Sequence, residues 1–386
     1  MKNNLFILIP CHLGQDAHVK MTDIKDNDFA KEYIKVLKDI TDSEIVNRVG
    51  KTFDRAFLGN YQLPIYSDSG IDQNQLDETH VDMFITKCHK NHLAVLTLII
   101  HDYEGNISHI IDQVTREDIY INKQSLYDFL LEHFDIIKNG EAKMILTQDH
   151  LQEEDITYYM ATETSASSLV DTKIVSEKYQ KYGQDNIAVY DFSDIYASES
   201  LVYQVLKGQN NQLQYQGLLV FIVEILVMQL SAIYRTNNKI TNALEENQKL
   251  KTKDYEKFSI EFANTLSIWQ IDIYRYKGAQ TIANKISERF GIQSVLNNYK
   301  QNDAFLQNII NTNNVKNSEF ESWILFVIAI LLFFKELFVI TKSIVGKMNE
   351  GSSLSELDII STISSTSIII ILIIIVYFIR KRTIEN

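Results

Sequence analysis

The sequence predicts an α/β N-terminal cytosolic domain over residues 1–210, a stalk of long antiparallel helices over 211–321, and two C-terminal transmembrane helices within 322–386. Three observations predict it. Apolar runs of strand length punctuate the first 205 residues, with helical spacing between some of them. Aromatic and aliphatic side chains then recur at seven-residue intervals through the middle of the chain. Near the C-terminal end, residues 359–379 form a run of 21 positions without a charge.

The bulk numbers narrow the classes. The chain has 386 residues, 45% hydrophobic and 23% charged, an ordinary globular composition with room for two or three structural units. A net charge of −13 leaves no concentrated basic face and argues against nucleic acid as a partner. The mean hydropathy of −0.12 conceals an accumulation of apolar residues after Trp323. Two cysteines, Cys11 and Cys88, are too few for a disulfide framework and suit a reducing cytosol. The opening MKNNLFILIPCHLGQD holds only a short apolar run before Pro10, too short for a signal peptide. The N-terminal part is therefore expected in the cytoplasm.

Within the first domain, strands are expected at residues 5–9, 81–85, 93–100, 144–147, 158–161, 187–190 and 201–205. Helical spacing falls at 28–40, 43–56 and 125–134. No glycine-rich phosphate loop, dinucleotide fingerprint or nucleophile elbow occurs, and no catalytic constellation suggests an enzyme. All nine histidines lie in the first 150 residues. Cys11, His12 and His18 form one cluster, with Asp16 among them, and Cys88, His89 and His92 form another. Together they offer zinc-type ligands from two loops, but the spacings match no standard zinc pattern and ordinary loop polarity is the stronger explanation. Adjacent Cys11 and His12 point to opposite faces of an extended segment, which disfavours a nucleophile–base pair. The acidic positions Asp102, Glu104, Asp112, Glu117, Asp118 and Glu153 to Asp155 describe a solvated face able to hold divalent cations loosely.

The stalk is read as three helices. An apolar block from about residue 213 fades into polar sequence by 246; Glu224 and Gln229 interrupt it, so it reads as a buried helix, with a third membrane segment as the alternative. The next helix is expected from Thr252 to Phe290, closed by Gly291. Its seam is Tyr255, Phe262, Trp269, Tyr276, Ala283 and Phe290. A last helix starts near Gln293 and meets no glycine or proline until Gly346, so it can run unbroken into a bilayer. At about 1.5 Å per residue, some 50 residues make a rod of roughly 75 Å.

The membrane spans are placed at about 323–345 and 359–379. The second is long enough for the hydrocarbon core, roughly 30 Å thick, and ends in Tyr377 and Arg380-Lys381-Arg382, as a cytoplasmic helix end does. The first carries Lys335-Glu336 near its middle and Lys342 near its end, charges that require a partner, a bundle interior or a water-filled path. If it instead ends near Phe334, the remainder lies on the surface as an amphipathic helix. Two spans put both termini in the cytoplasm, at the cell's inner membrane. Ser322, Ala329, Glu336 and Ser343 stand seven apart on one stripe. Such a stripe is either a close-packing seam or a pore wall, and in a symmetric oligomer it sets a ring of Glu336 at mid-depth.

This order resembles the CorA family of divalent-cation channels, over roughly residues 210–386. That family carries a Gly-Met-Asn motif at the outer end of its first span, then a short loop with a glutamate. The matching place here reads Gly346-Lys347-Met348-Asn349, followed by Glu350 and Glu356. Met348 and Asn349 fit the motif, whereas Lys347 stands where the family has glycine. The resemblance implies a homo-oligomer in the lipid bilayer, a pentamer by analogy, with Asn349 at the pore mouth and magnesium as its ion. CorA-like proteins with altered pores also serve as membrane effectors of type III CRISPR antiviral defence. There a nucleotide messenger, such as a conjugate of S-adenosylmethionine and AMP, binds and perturbs the membrane. Three readings follow: a ligand-gated oligomeric channel or effector, a magnesium transporter, and a non-conducting anchored binding protein.

Overall fold

The computed structural model describes residues 3–14, 27–45, 53–65, 77–88, 92–101, 110, 113–114, 116–121, 124–149, 186–208, 212–245, 260 and 273–348. The chain divides into two compact units, Met1–Asn242 with Lys253–Asn302, and Ala243–Thr252 with Asp303–Asn386.

The first unit is built on a sheet of nine described strands. Its order is β2 (Phe53–Ile65), β3 (Asp77–Cys88), β4 (Leu93–Ile100), β1 (Asn3–Leu13), β8 (Lys143–Gln148), β11 (Leu201–Leu206), β10 (Ser193–Ala197) and β9 (Ala188–Tyr190). The short β7 (Ile136–Lys138) pairs with the end of β1 beyond β8. A separate two-residue pair joins β5 (Tyr120–Ile121) and β6 (Gln124–Ser125). All pairings in the large sheet are antiparallel except β8 with β11. β4 (LAVLTLII) is buried at every position, as a strand covered on both faces requires.

Alternation divides the central strands cleanly. Leu5, Ile7, Ile9 and Cys11 of β1 share one face with Leu96, Leu98, Val81, Met83 and Ile85. That face is covered by α2 (Leu126–Phe134), through Leu126, Phe129 and Leu130, and by Ile110, Val114 and Ile119. The opposite face carries Phe6, Phe84 and Thr97. It meets α1 (Asp28–Glu44), whose Tyr33 ring lies 4.7 Å from that of Phe84. Asn27 caps α1 by accepting from the Ala30 amide at 2.9 Å.

The third helix, α3 (Gln212–Glu245), covers the same face, and residues 219–228 are buried on every side. Within it, Gln212–Asn242 is long and apolar enough to cross a membrane, yet 83% of its most apolar stretch is buried inside the protein. Three polar side chains on one stripe explain the buried placement. Gln216 accepts from Asn4 Nδ2 at 3.1 Å and donates to Thr147 Oγ1 at 2.9 Å. Glu224 accepts from Thr86 Oγ1 at 2.8 Å and pairs with Arg55. Ser231 accepts from Asn139 Nδ2 at 2.8 Å. The sheet thus answers Gln216 and Glu224, and Asn139, just past β7, answers Ser231. Gly217 lets α1 approach, since a Cβ there would sit 3.0 Å from Ile40 Cδ1 and 3.1 Å from Val36 Cγ1.

Two expectations are corrected here. The helix expected at 43–56 ends with α1 at Glu44; Ile45 forms an isolated bridge with Tyr274, and Phe53 onward is β2. Ile45, Val49 and Phe53 have helical spacing, but β3 supplies a full-length partner for the segment from Phe53. The unbroken helix expected over 252–290 is interrupted at residues 273–276. The Arg275 amide donates to Glu44 O at 2.6 Å and its guanidinium to Ile45 O at 3.3 Å, which holds this stretch extended against the end of α1. Tyr276, assigned to the heptad seam, is 54% exposed and only precedes α4 (Lys277–Arg289). Gly291 closes α4 with φ +66°, the left-handed conformation expected of it. The strand expected at 158–161 lies outside the described residues.

The remaining helix, α5 (Ile292–Met348), runs 57 residues without a break. Its early turns pack in the first unit, where Asn302 Nδ2 donates to Asn237 Oδ1 at 2.6 Å. From Asp303 onward it belongs to the second unit.

Candidate functional site

The stripe on α5 begins with helical geometry. Positions seven apart return to nearly the same side of a helix, and one backbone carries Ser322, Ala329, Glu336 and Ser343. Ser322, Ala329 and Glu336 are exposed. They are flanked by Leu325, Leu332 and Val339, themselves seven apart, at 65%, 50% and 55% exposure. Trp323, Phe326, Phe334 and Phe338 are exposed on the other sides. Ile324, at 9% exposure, marks the one covered side; so much exposed apolar surface on the remaining sides is unsuited to water and suits lipid or neighbouring helices. Gly346, Lys347 and Met348 form the last helical residues. Asn349, the loop glutamates and the second expected span lie outside the described residues.

The cysteine and histidine candidates are not brought together. Cys11 points to the face that packs on α2. Cys88 stands three residues from Ile85, which shares the face of Cys11, so it points the other way. One ion cannot bridge the two. Cys11 donates to Ile9 O at 3.4 Å, and burial pushes its thiol up to about 12, against smaller lowering effects from the Leu96 backbone and Lys138. It is a core residue, not a nucleophile. His12 follows on the opposite face of β1, and the peptide beside it is tied in, with the Leu13 amide donating to His92 O at 2.8 Å. His18 and His89 lie outside the described residues. Among the described residues no group of three or more metal-ligating side chains occurs.

A polar centre that the sequence reading missed sits where the end of β4 meets the middle of β2 and β3. The buried Asp82 of β3 accepts from Asn60 Nδ2 of β2 at 2.8 Å and from Asn27 Nδ2 at 3.2 Å, both on Oδ1. Its Oδ2 meets His101 Nε2, just past β4, at 2.9 Å. His80 Nδ1 lies 3.1 Å from Asn60 Oδ1. The ring of Phe29 packs edge-on against His101, 4.2 Å between centroids. Burial alone would raise the Asp82 carboxyl, but the hydrogen bonds from His101 and Asn60, the charge of His101 and the bond from Asn27 together hold it below its ordinary value. The signal was present in the sequence: His80 and Asp82 alternate onto one face of a strand, and the short connection to β4 sets the register that brings His101 beside them.

In comparisons with protein-family models, with curated proteins and with solved structures, nothing matches this chain.

Proposed function

We propose that the protein is a CorA-like, homo-oligomeric membrane channel or effector, gated by a ligand that binds its α/β unit. The observation that carries this reading is α5: one helix of 57 residues, about 85 Å at the standard rise, which leaves Leu325, Phe326, Leu332, Phe334 and Phe338 exposed on every side but that of the buried Ile324. Lipid and sister helices would cover that surface. Residues 359–379 supply the second span, the basic triplet after it anchors the tail on the cytoplasmic side, and both termini face the cytoplasm of the inner membrane.

In this reading the exposed stripe of Ser322, Ala329 and Glu336 turns toward the oligomer axis, continued by Ser343. Glu336 is then a ring of carboxylates at mid-depth, and Met348-Asn349 stands at the outer mouth with Lys347 beside it. A lysine next to the mouth disfavours dedicated magnesium transport and supports an effector, for which a nucleotide messenger of the type III CRISPR kind is the proposed gating ligand. The Met348-Asn349 match favours the second reading, a magnesium transporter. Absence of any flux would leave a membrane-anchored binding protein.

Ion flux into liposomes holding the purified chain, with and without an S-adenosylmethionine–AMP conjugate, tests the proposal. Ligand-dependent flux that Glu336→Gln alters is expected. Flux without ligand, together with growth rescue of a magnesium-transport-deficient strain, would select the transporter. A monomer in detergent, or Asn349 labelled from the cytoplasmic side, would defeat the shared pore.

A further inference from the structure

We propose that His80 and His101 form a chelating pair for a borderline transition-metal ion of the Zn2+, Ni2+ or Cu2+ class, on the α/β unit and independent of any pore. The register that pairs Val81 with Ile100 sets His80 opposite His101 one step further along. Directly opposed residues of an antiparallel pair have Cβ atoms about 5 Å apart, a separation two imidazoles can close on a single ion.

The hydrogen bonds decide which ring nitrogens are available. Asp82 is a carboxylate and only accepts, so His101 Nε2, 2.9 Å from Oδ2, must carry the proton. The Asn60 group facing Asp82 must for the same reason be its NH2, which leaves Asn60 Oδ1 as the acceptor for His80 Nδ1–H at 3.1 Å. These bonds fix which nitrogen keeps its proton once a ring binds a cation, so the lone pairs offered to it are those of His80 Nε2 and His101 Nδ1. A ligating histidine almost always donates its other N–H to a carboxylate or carbonyl that orients the ring. Here Asp82 does this for His101 and Asn60 does it for His80, and Asn60 ties the two supports into one network.

The surroundings fit an exchangeable ion. His80 is exposed and the His101 side chain is 31% exposed, so water can fill the remaining coordination positions. Phe29 packs on the His101 ring and restricts its rotation. The anchored Asp82, bonded to His101, offsets the charge of a divalent cation. Two imidazoles select Zn2+, Ni2+ or Cu2+ over magnesium, which requires oxygen ligands.

The test is titration of the full chain, purified in detergent and stripped with a chelator, against Zn2+ in competition with a chromophoric indicator. One ion per chain is expected, undisturbed by a thousandfold excess of Mg2+. His80→Ala and His101→Ala should each weaken binding at least tenfold. Asp82→Asn should weaken it 10- to 100-fold, as loss of an orienting partner does. His133→Ala should leave it unchanged. With Cu2+ in place of Zn2+, electron paramagnetic resonance should show coupling to two imidazole nitrogens, reduced to one in His80→Ala. Because His80 is exposed, its substitution should leave the denaturation midpoint near wild type. Wild-type stoichiometry and affinity in the doubly substituted chain, or no uptake by the wild type, would overturn the proposal.

Discussion

Arg55 Nη2 and Glu224 Oε2 lie 2.9 Å apart with side chains only 8% and 2% exposed, joining the edge strand β2 to the middle of α3. Thr41 accepts from the Arg55 guanidinium at 3.1 Å, and the guanidinium lies 5.2 Å from the Phe221 ring centroid. The pair ties strand, first helix and covering helix at one point.

Breaking that pair should be costly, because the surviving charge stays buried. Glu224→Gln or Arg55→Met should each destabilise the fold by about 3–5 kcal/mol. The joint replacement Arg55→Met with Glu224→Leu should recover most of the loss. Urea denaturation of the full chain followed by tryptophan fluorescence reads both, and an additive double variant would refute the coupling.

Asp82 predicts an acid-side dependence of stability. Its folded carboxyl titrates below the ordinary value of 3.8, so its contribution is complete above that value. That contribution is lost as the pH falls toward and through the lower folded value, where the unfolded chain binds the proton first. Asp82→Asn should be less stable at neutral pH and show a shallower loss between pH 5 and 2 (about 5 to 2, the range in which carboxylates titrate). Parallel acid limbs would contradict this.

Native thiols should be silent. Cys11 and Cys88 are both buried, and the Cys11 thiol is pushed up to about 12. Ellman's reagent at a pH of about 8 should find neither thiol until denaturant is added, then both. Fast labelling of the native chain would show that the sheet opens.

Gly217 should resist enlargement. A Cβ already sits 3.0 Å from Ile40 and 3.1 Å from Val36, so Gly217→Leu should cost about 1–3 kcal/mol by overpacking the α1–α3 contact. Gly217→Ala should cost less, since helix propensity offsets the strain by about 1 kcal/mol. Melting temperatures of the two variants check the order.

Much of the α/β unit was legible in local pattern. The strand at 93–100, the helix beginning at Asp28, the helix from about 213 to 246 and the Gly291 terminator all stand where periodicity and capping put them. Segment 43–56 was misread because Ile45, Val49 and Phe53 satisfy a helical spacing, whereas Phe53 pairs with Cys88 and Ile45 bridges Tyr274, partners that lie far along the chain. The heptad through Tyr276 failed for a similar reason: the end of α1 supplies hydrogen bonds that a continuous helix would forgo.

The candidate sites divide the same way. The stripe of Ser322, Ala329 and Glu336 follows from spacing alone, since one helix needs no partner to define its sides. Whether Cys11 and Cys88 share a face depends on how β1, β3 and β4 pair, and only the short β3–β4 connection hinted that His101 meets Asp82.

The order of elements, the burial of an apolar helix interrupted by Glu224, and the unbroken course of α5 belong to the sequence itself, because propensity, periodicity and the absence of breakers act within a few residues of each other. The answer to each buried polar group was decided only by tertiary structure. Arg55 for Glu224, Asn139 for Ser231, and Asn60 and His101 for Asp82 come from separate elements, and a hydrogen bond between distant segments leaves no local trace in the chain that makes it.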